Sequence, residues 1–185
     1  MLAARRLGGT SGHSMGTYGH AELEAPRLAP PGSERLTALV CRARDRLCAL
    51  PVAQVVETMR PLPLQPLGAM PPFVKGLAAI RGAAVPVVDL GLLLGAAAPA
   101  APARFVTVRA GARLVALAVE EIAGVRVLAG GDLAALPPLL RDASDGAAAA
   151  LGRLDAELLY VLELSRAVPD DVWRALAAAG GEARG

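Results

Sequence analysis

The chain contains an internal repeat, and this repeat limits the folds open to it more than any other feature. Residues 42–52 align with residues 109–119 at an offset of 67, with seven of the eleven positions identical. A second alignment places Val87 on Val161 at an offset of 74, which implies a seven-residue insertion within 130–150. The first pair of segments shows the same order of strand, turn and strand. The sequence therefore predicts two copies of a unit made of a hairpin, a helical turn and a second hairpin.

The size of the repeated unit indicates how the two copies pack. Each copy has roughly sixty residues, a length at which burial of apolar surface is only marginal for independent folding. We therefore expect the copies to share a core, and we expect each small sheet to close into a barrel because closure removes exposed edges. The predicted subdomains are residues 36–95 and 104–168, separated by the Ala/Pro-rich linker 96–103. A groove is expected between the two barrels.

Residues 73–95 predict a hairpin followed by one helical turn. Two apolar runs flank a turn at Gly82, where glycine permits a positive φ. Pro86 lies inside the second run and has no backbone N–H, so this strand is expected at the rim of a sheet. Asp89 is expected to cap the short helix that follows, and Gly95 suits a left-handed exit from it.

Arg81 is the unusual residue of this hairpin, because its charged guanidinium lies at a tight turn between two apolar strands. One interpretation is a surface arginine that pairs with a nearby carboxylate. The other is an arginine that binds another molecule. Composition and spacing leave both interpretations open.

Local patterns also predict two short helices. Pro51 is expected to begin a helix with Val52, Val55 and Val56 on its inner side, because proline is tolerated at the first helical position. The repeat predicts a second short helix at the equivalent place, over residues 120–123.

The two ends of the chain differ in their predicted order. Residues 1–34 mix glycine, serine, proline and arginine without periodicity, which predicts a disordered tail. Residues 169–185 predict a closing helix, over 169–179, and a short tail. Trp173, the only tryptophan of the chain, is expected to pack on a barrel.

The overall composition argues against several functional classes. A formal net charge of +2 with dispersed arginines gives no basic face for nucleic acid. No uninterrupted apolar run reaches membrane-spanning length. Cys41 and Cys48 lack the spacing of a metal site or of a disulfide framework, which indicates buried thiols in a reducing cytosol. We therefore predict a soluble intracellular protein with no metal and no cofactor.

Two alternative functions must be weighed. Residues 12–16, GHSMG, match the nucleophile elbow of serine hydrolases, with Ser14 as nucleophile. That motif needs a strand before the serine and a helix after it, and the only histidine after Ser14 is His20 in the same irregular segment. A small-ligand sensor that uses the groove is the other alternative, but no cluster of polar or aromatic residues predicts a pocket there.

The chain from about residue 36 to residue 168 resembles the CheW-like domain family, the adaptors of bacterial chemosensory arrays. The segment PPFVKGLAAIRGAAVPVVDL carries most of this resemblance, and CALPVAQVVE and ALAVEEIAGV are also similar to family segments. The sequence departs from the family pattern at Ala79, Ile80 and Ala156. The residues that match the family hairpin are Phe73, Lys75, Gly76, Arg81, Gly82, Pro86, Val87, Asp89 and Leu90.

This resemblance implies a mainly β fold with two five-stranded SH3-like barrels over residues 35–168. It also implies a noncatalytic scaffold, cytoplasmic and recruited to membrane-associated receptor arrays. Its partners would be the cytoplasmic tip of chemoreceptors and the regulatory domain of a CheA-type histidine kinase. The residues implied in receptor binding are Arg81, Val55, Gly76 and Lys75.

Overall fold

The computed structural model describes residues 35–68, 70–143, 147–165, 168, 170 and 172–176, and for residues 141–143 it describes the backbone only. The predicted tail 1–34, with the GHSMG segment and His20, lies outside the described residues. The described part of the predicted closing helix is helical over residues 172–176.

Strands account for most of the described chain. Short helical segments lie at Val52–Gln54, Leu90–Leu93 (α1), Gly130–Asp132 and Pro138–Ala143 (α2). The strands are β1 (Arg35–Ala43), β2 (Arg46–Pro51), β3 (Val55–Met59), β4 (Val74–Ile80), β5 (Ala83–Asp89), β6 (Arg104–Ala110), β7 (Arg113–Val119), β8 (Glu121–Ala129), β9 (Ala134–Ala135), β10 (Ala148–Leu154) and β11 (Glu157–Leu162).

These strands form two mixed sheets. Sheet A has the order β8-β1-β2-β11-β10-β9, and sheet B has the order β3-β6-β7-β5-β4. Each sheet contains strands from both copies of the repeat, because β1 and β2 join strands of the second copy and β6 and β7 join strands of the first. The sequence boundaries at 36–95 and 104–168 therefore divide the repeat but do not divide the sheets.

The strand pairing follows the sequence repeat closely. The β4–β5 pairing begins at Val74↔Val88, and the β10–β11 pairing begins at Ala148↔Leu162, which is the same pair at an offset of 74. Both pairings have a register shift directly after their first pair. The insertion accommodates β9 and α2. The prediction of a mainly β fold with short helices is confirmed. Sheet B has the predicted five strands, whereas sheet A has a sixth, the short β9 of the insertion.

Three apolar clusters stabilise this arrangement. One cluster contains residues from all five strands of sheet B, such as Ile80 and Phe105, and a second does the same for the five longer strands of sheet A. Such clusters are compatible with sheets curled into barrels. The largest cluster combines both sheets, for example through Leu50 and Val106, together with Leu176 of the C-terminal helical segment. Each fully buried leucine or valine contributes about 1.5–3 kcal/mol, so the shared cluster holds the two sheets together.

The prediction that the strand with Pro86 lies at a rim is wrong. This strand, β5, lies inside sheet B between β4 and β7. Pro86 is opposite Leu77 of β4, and both backbone polar groups of Leu77 bond to Gln65, away from β5. On the other side, β7 pairs only with residues from Val87 onward. The sheet therefore requires no N–H from Pro86, and proline is tolerated in an interior strand.

The predictions of two short helices, after Pro51 and over residues 120–123, are also wrong. The helical segment after Pro51 is a three-residue 3-10 turn with no buried side chain, and β3 begins directly at Val55. Val52 and Val56 are exposed, whereas Val55 packs partly against the shared cluster. Residues 120–123 do not form a helix, because β8 begins at Glu121. Val52, Val55 and Val56 therefore do not share the inner helix face that the sequence predicts, and only Val55 packs inward.

Candidate functional site

The β4–β5 turn presents Arg81 outward from sheet B. Ile80 and Ala83 pair directly, so Arg81 and Gly82 form a two-residue hairpin loop. Both have positive φ, 50° for Arg81 and 79° for Gly82, which is the backbone of a type I′ turn. Gly82 therefore adopts the predicted left-handed conformation, and Arg81 shares it. This rigid turn fixes the direction in which the arginine leaves the sheet.

The guanidinium of Arg81 forms a bidentate ion pair with Glu57 of β3. Arg81 Nε donates to Glu57 Oε1 at 2.7 Å, and Arg81 Nη2 donates to Glu57 Oε2 at 2.8 Å. The Arg81 side chain is 79% exposed, whereas that of Glu57 is 23% exposed. The hydrogen bonds from Arg81 lower the pKa of Glu57, and the same bonds raise the pKa of Arg81. Arg81 is thus both a paired surface arginine and accessible to another molecule.

This ion pair joins the two edge strands of sheet B. Glu57 lies on β3, and Arg81 directly follows β4, at opposite ends of the strand order. Met59, on the same face of β3 as Glu57, packs on the sheet B cluster, and this cluster also contains Ile80, the residue before Arg81. The ion pair therefore covers one end of that cluster, which we call the mouth of sheet B.

Exposed valines precede Glu57 in the chain. Val56 directly precedes Glu57 and is 40% exposed, and Val52 in the preceding 3-10 turn is 38% exposed. Val55 is opposite Val108 and half-buried against the shared cluster, whereas Glu57 is opposite Thr107, so these two side chains leave opposite faces of the sheet. We call Val52, Val56, Glu57 and Arg81 the candidate surface.

Lys75 and Gly76 lie away from the candidate surface. They are near the beginning of β4 and Arg81 follows its end, so Lys75 is about 20 Å from Arg81 along the strand. Lys75 Nζ is 3.6 Å from Asp89 Oδ2. Gly76 is buried with φ of 138°, and a Cβ there would be 2.4 Å from the carbonyl oxygen of Gln65. In this structure both residues therefore hold the beginning of the hairpin.

The predicted helix cap after β5 is present. Leu92 N donates to Asp89 Oδ1 at 3.1 Å, and Asp89 is only 2% exposed. Gly95 has φ of 86° and its N–H bonds to the carbonyl of Leu92. The cap and the Lys75 contact together satisfy a carboxylate that would otherwise be costly to bury.

Glu57 is the site residue that the sequence did not reveal. It follows Val55 by two positions inside the segment VAQVVE, but it is 24 positions from Arg81. A glutamate in a short strand is usually a solvated residue, so only the pairing of β3 with β6 identifies its role. The sequence signal that points to Glu57 is its position two residues after Val55, which the family resemblance implies in receptor binding.

The described residues contain no group of three or more His, Cys, Asp or Glu side chains able to hold a metal ion. Cys41 and Cys48 are free, buried and opposite each other on β1 and β2, and the contact with Cys41 together with burial raises the pKa of the Cys48 thiol. Among the described helices, none has the length and apolar character needed to cross a membrane.

Comparisons with known proteins agree with this architecture. A family model described as a CheW-like domain matches residues 37–171. Among solved structures, the scaffolding protein TtCheW from Thermoanaerobacter tengcongensis is similar with a TM-score of 0.63 and 17% identity, over 70% of this chain and 90% of that one. No curated protein matches the chain significantly.

Proposed function

Because the chain belongs to the CheW-like domain family, we propose that it is a noncatalytic scaffold that couples chemoreceptors to a CheA-type histidine kinase. The observation that carries this proposal is the exposed guanidinium of Arg81, fixed by an ion pair with Glu57, which directly follows the exposed Val56 in β3. The scaffold would act in the cytoplasm and would be recruited there to membrane-associated receptor arrays.

The candidate surface has the composition of a protein interface. A guanidinium has five N–H groups, and two of those of Arg81 bond to Glu57. Within the part of the chain that the structure describes, three remain for carbonyl or carboxylate oxygens of a partner. The adjacent valines supply apolar area around this polar contact, and arginines in such surroundings are frequent binding hot spots. A helical receptor tip can offer both kinds of group.

Glu57 supports the first contact with a partner by fixing the orientation of Arg81 in the free protein. A free arginine side chain loses rotamer entropy when it is immobilised in an interface. The bidentate pair and the type I′ turn have already restricted Arg81 before any partner arrives. Lys75 and Gly76 would contribute to receptor binding through the hairpin that they hold, and the ends of the sheets would contact the kinase.

A binding measurement with matched variants tests the proposal. We expect Arg81→Glu to weaken binding of a purified receptor signalling fragment at least about tenfold, as expected for loss of a hot spot. Arg104→Glu is the control, because Arg104 is an exposed arginine at the first position of β6. Among the described residues its side chain bonds only to the neighbouring carbonyl of Ala103. Equal affinity of the two variants, both shown to be folded, would remove Arg81 from the site.

Kinase coupling provides a second measurement. Addition of the protein to receptor fragment and kinase should raise kinase autophosphorylation, and Val55→Asp should reduce this effect. A folded Val55→Asp variant that couples normally would contradict the assignment of Val55.

No observation favours the alternative functions. The GHSMG segment lies outside the described residues. An open groove of about 450 Å³ lies between the two hairpins of sheet B and the C-terminal helical segment. Its charged residue, Arg113, is already engaged, with its guanidinium 5.0 Å from the centre of the Trp173 ring and 3.6 Å from Asp170. Among the described residues that line it, this groove therefore offers a small ligand no free charged group.

A further inference from the structure

A buried hydroxyl lies on β6, on the residue opposite Glu57. Thr107 of β6 is directly opposite Glu57 of β3, so their side chains share a face with Cβ atoms about 5 Å apart. Thr107 is 1% exposed, and its Oγ1 has no hydrogen-bond partner among the described residues. A buried hydroxyl without a partner raises the free energy of the folded state, so its presence requires a reason.

The other copy of the repeat provides an internal comparison. The equivalent of the Thr107↔Glu57 pair in sheet A is Val40↔Gly124. Val40 is fully buried in the sheet A cluster, so the fold accepts an apolar β-branched residue at this position. In sheet B the residue with the hydroxyl, Thr107, is opposite a glutamate. In sheet A the equivalent residue, Val40, has no hydroxyl and is opposite a glycine.

We propose that Thr107 is a positioning residue whose hydroxyl is a second donor to the Glu57 carboxylate, used when a partner protein draws Arg81 away. The identity of that partner as a chemoreceptor rests on the proposed function, whereas the exchange of donors does not. In the free protein the guanidinium of Arg81 donates both hydrogen bonds to the Glu57 carboxylate. In the bound protein Thr107 Oγ1 donates to Glu57 instead.

The exchange has a simple physical basis. Glu57 is partly buried, so a carboxylate left without a donor would oppose the release of Arg81. A hydroxyl that bonds to a carboxylate forms a charge-assisted bond, stronger than one between neutral groups. The exchange also satisfies the Thr107 hydroxyl, which has no partner among the described residues of the free protein. Both effects make Arg81 easier to transfer to a partner.

A stability cycle tests the exchange without any partner. Arg81→Ala removes the guanidinium and imitates its release. In this background we expect Thr107→Val to increase the unfolding equilibrium constant by about tenfold, the effect of losing a hydrogen bond to a charged group. With Arg81 present, the same substitution should leave that constant unchanged or lower it. Thr107→Ser, which keeps the hydroxyl, should lack this dependence on the background.

The outcomes of the cycle separate the alternatives. An equal effect of Thr107→Val in both backgrounds, or the same loss for Thr107→Ser as for Thr107→Val in the Arg81→Ala background, would overturn the proposal. Thr107→Ala compared with Thr107→Ser asks the same question if the valine variant does not fold. All constants are obtained by chemical denaturation of the full chain.

Receptor binding then tests the functional consequence. We expect Thr107→Val to weaken binding of the receptor fragment about fivefold and Thr107→Ser to bind like the native protein, in line with the modest net value of one hydrogen bond. Native affinity of the Thr107→Val variant would overturn the role of Thr107 in partner binding. Absence of receptor binding by the native protein would instead contradict the proposed function, and the stability cycle would still decide the exchange.

Discussion

Two equivalent hairpin turns of this protein carry different residues in the same backbone conformation. The β4–β5 turn has Gly82 with φ of 79°, and the β10–β11 turn has Ala156 with φ of 69°. The two positions correspond at the offset of 74. Left-handed backbone costs an L-residue about 1–2 kcal/mol, whereas glycine adopts it freely. We therefore predict that Ala156→Gly stabilises the protein and that Gly82→Ala destabilises it.

The structure supplies the magnitude. Among the described residues other than its two chain neighbours, no atom lies within 4 Å of a Cβ built at Gly82, so backbone strain alone sets the effect there. The extra flexibility of glycine in the unfolded chain offsets part of the gain at Ala156, by about 0.4–1 kcal/mol. We expect the free energy of unfolding to fall by about 1 kcal/mol for Gly82→Ala and to rise by about 0.5–1 kcal/mol for Ala156→Gly. The corresponding shifts in Tm are about 2–4 °C.

Chemical denaturation of the two variants and of the double variant measures these changes. The effects should add, because the two turns belong to different sheets. Gly68→Ala is the control, since Gly68 has open space around its Cβ and no positive φ. A loss of stability in Ala156→Gly, or equal stabilities of Gly82→Ala and Gly68→Ala, would refute the reasoning.

Three further predictions concern other contacts. Gly76→Ala should destabilise the protein by about 3 kcal/mol, measured by denaturation. The added Cβ would lie 2.4 Å from a backbone oxygen, and the φ of residue 76 is 138°, which an alanine rarely adopts. A variant as stable as the native protein would contradict this geometry. Arg81→Ala should reduce stability at neutral pH, and this loss should shrink as the pH falls below about 4.3. The reason is that the ion pair lowers the pKa of Glu57 in the folded state, so protonation of Glu57 removes the stabilisation that the pair provides. A difference in stability that does not depend on pH would be inconsistent with the ion pair. Arg113→Ala should change the fluorescence of Trp173, since the guanidinium lies 5.0 Å from the centre of its ring; an unchanged emission spectrum would rule out that contact.

The features that the sequence predicted well depend on neighbouring residues. The Gly82 turn, the Asp89 cap and the Gly95 exit are each fixed within four or five residues, by backbone preference or by one local hydrogen bond. The repeat also gave correct strand positions, because an offset of 74 places β4 on β10. The mainly β class followed from these local patterns and from the family resemblance.

The features that the sequence did not predict depend on distant pairing. The position of β5 inside sheet B, despite Pro86, requires knowledge of where β7 begins to pair. The exposure of Val52 and Val56 depends on a 3-10 turn that continues directly into a strand, where helical periodicity no longer applies. The separation of Lys75 from Arg81 follows from the length of β4, which the resemblance alone did not take into account.

The sequence by itself determined the repeat, its turns and an arginine at one hairpin tip. Tertiary structure alone decided that each sheet combines strands of both copies, and that Glu57 pairs with Arg81 and lies opposite Thr107. The physical reason is the range of the interactions. Turns and caps are local in sequence, whereas sheet register and the burial of a carboxylate are set by strands far apart in the chain.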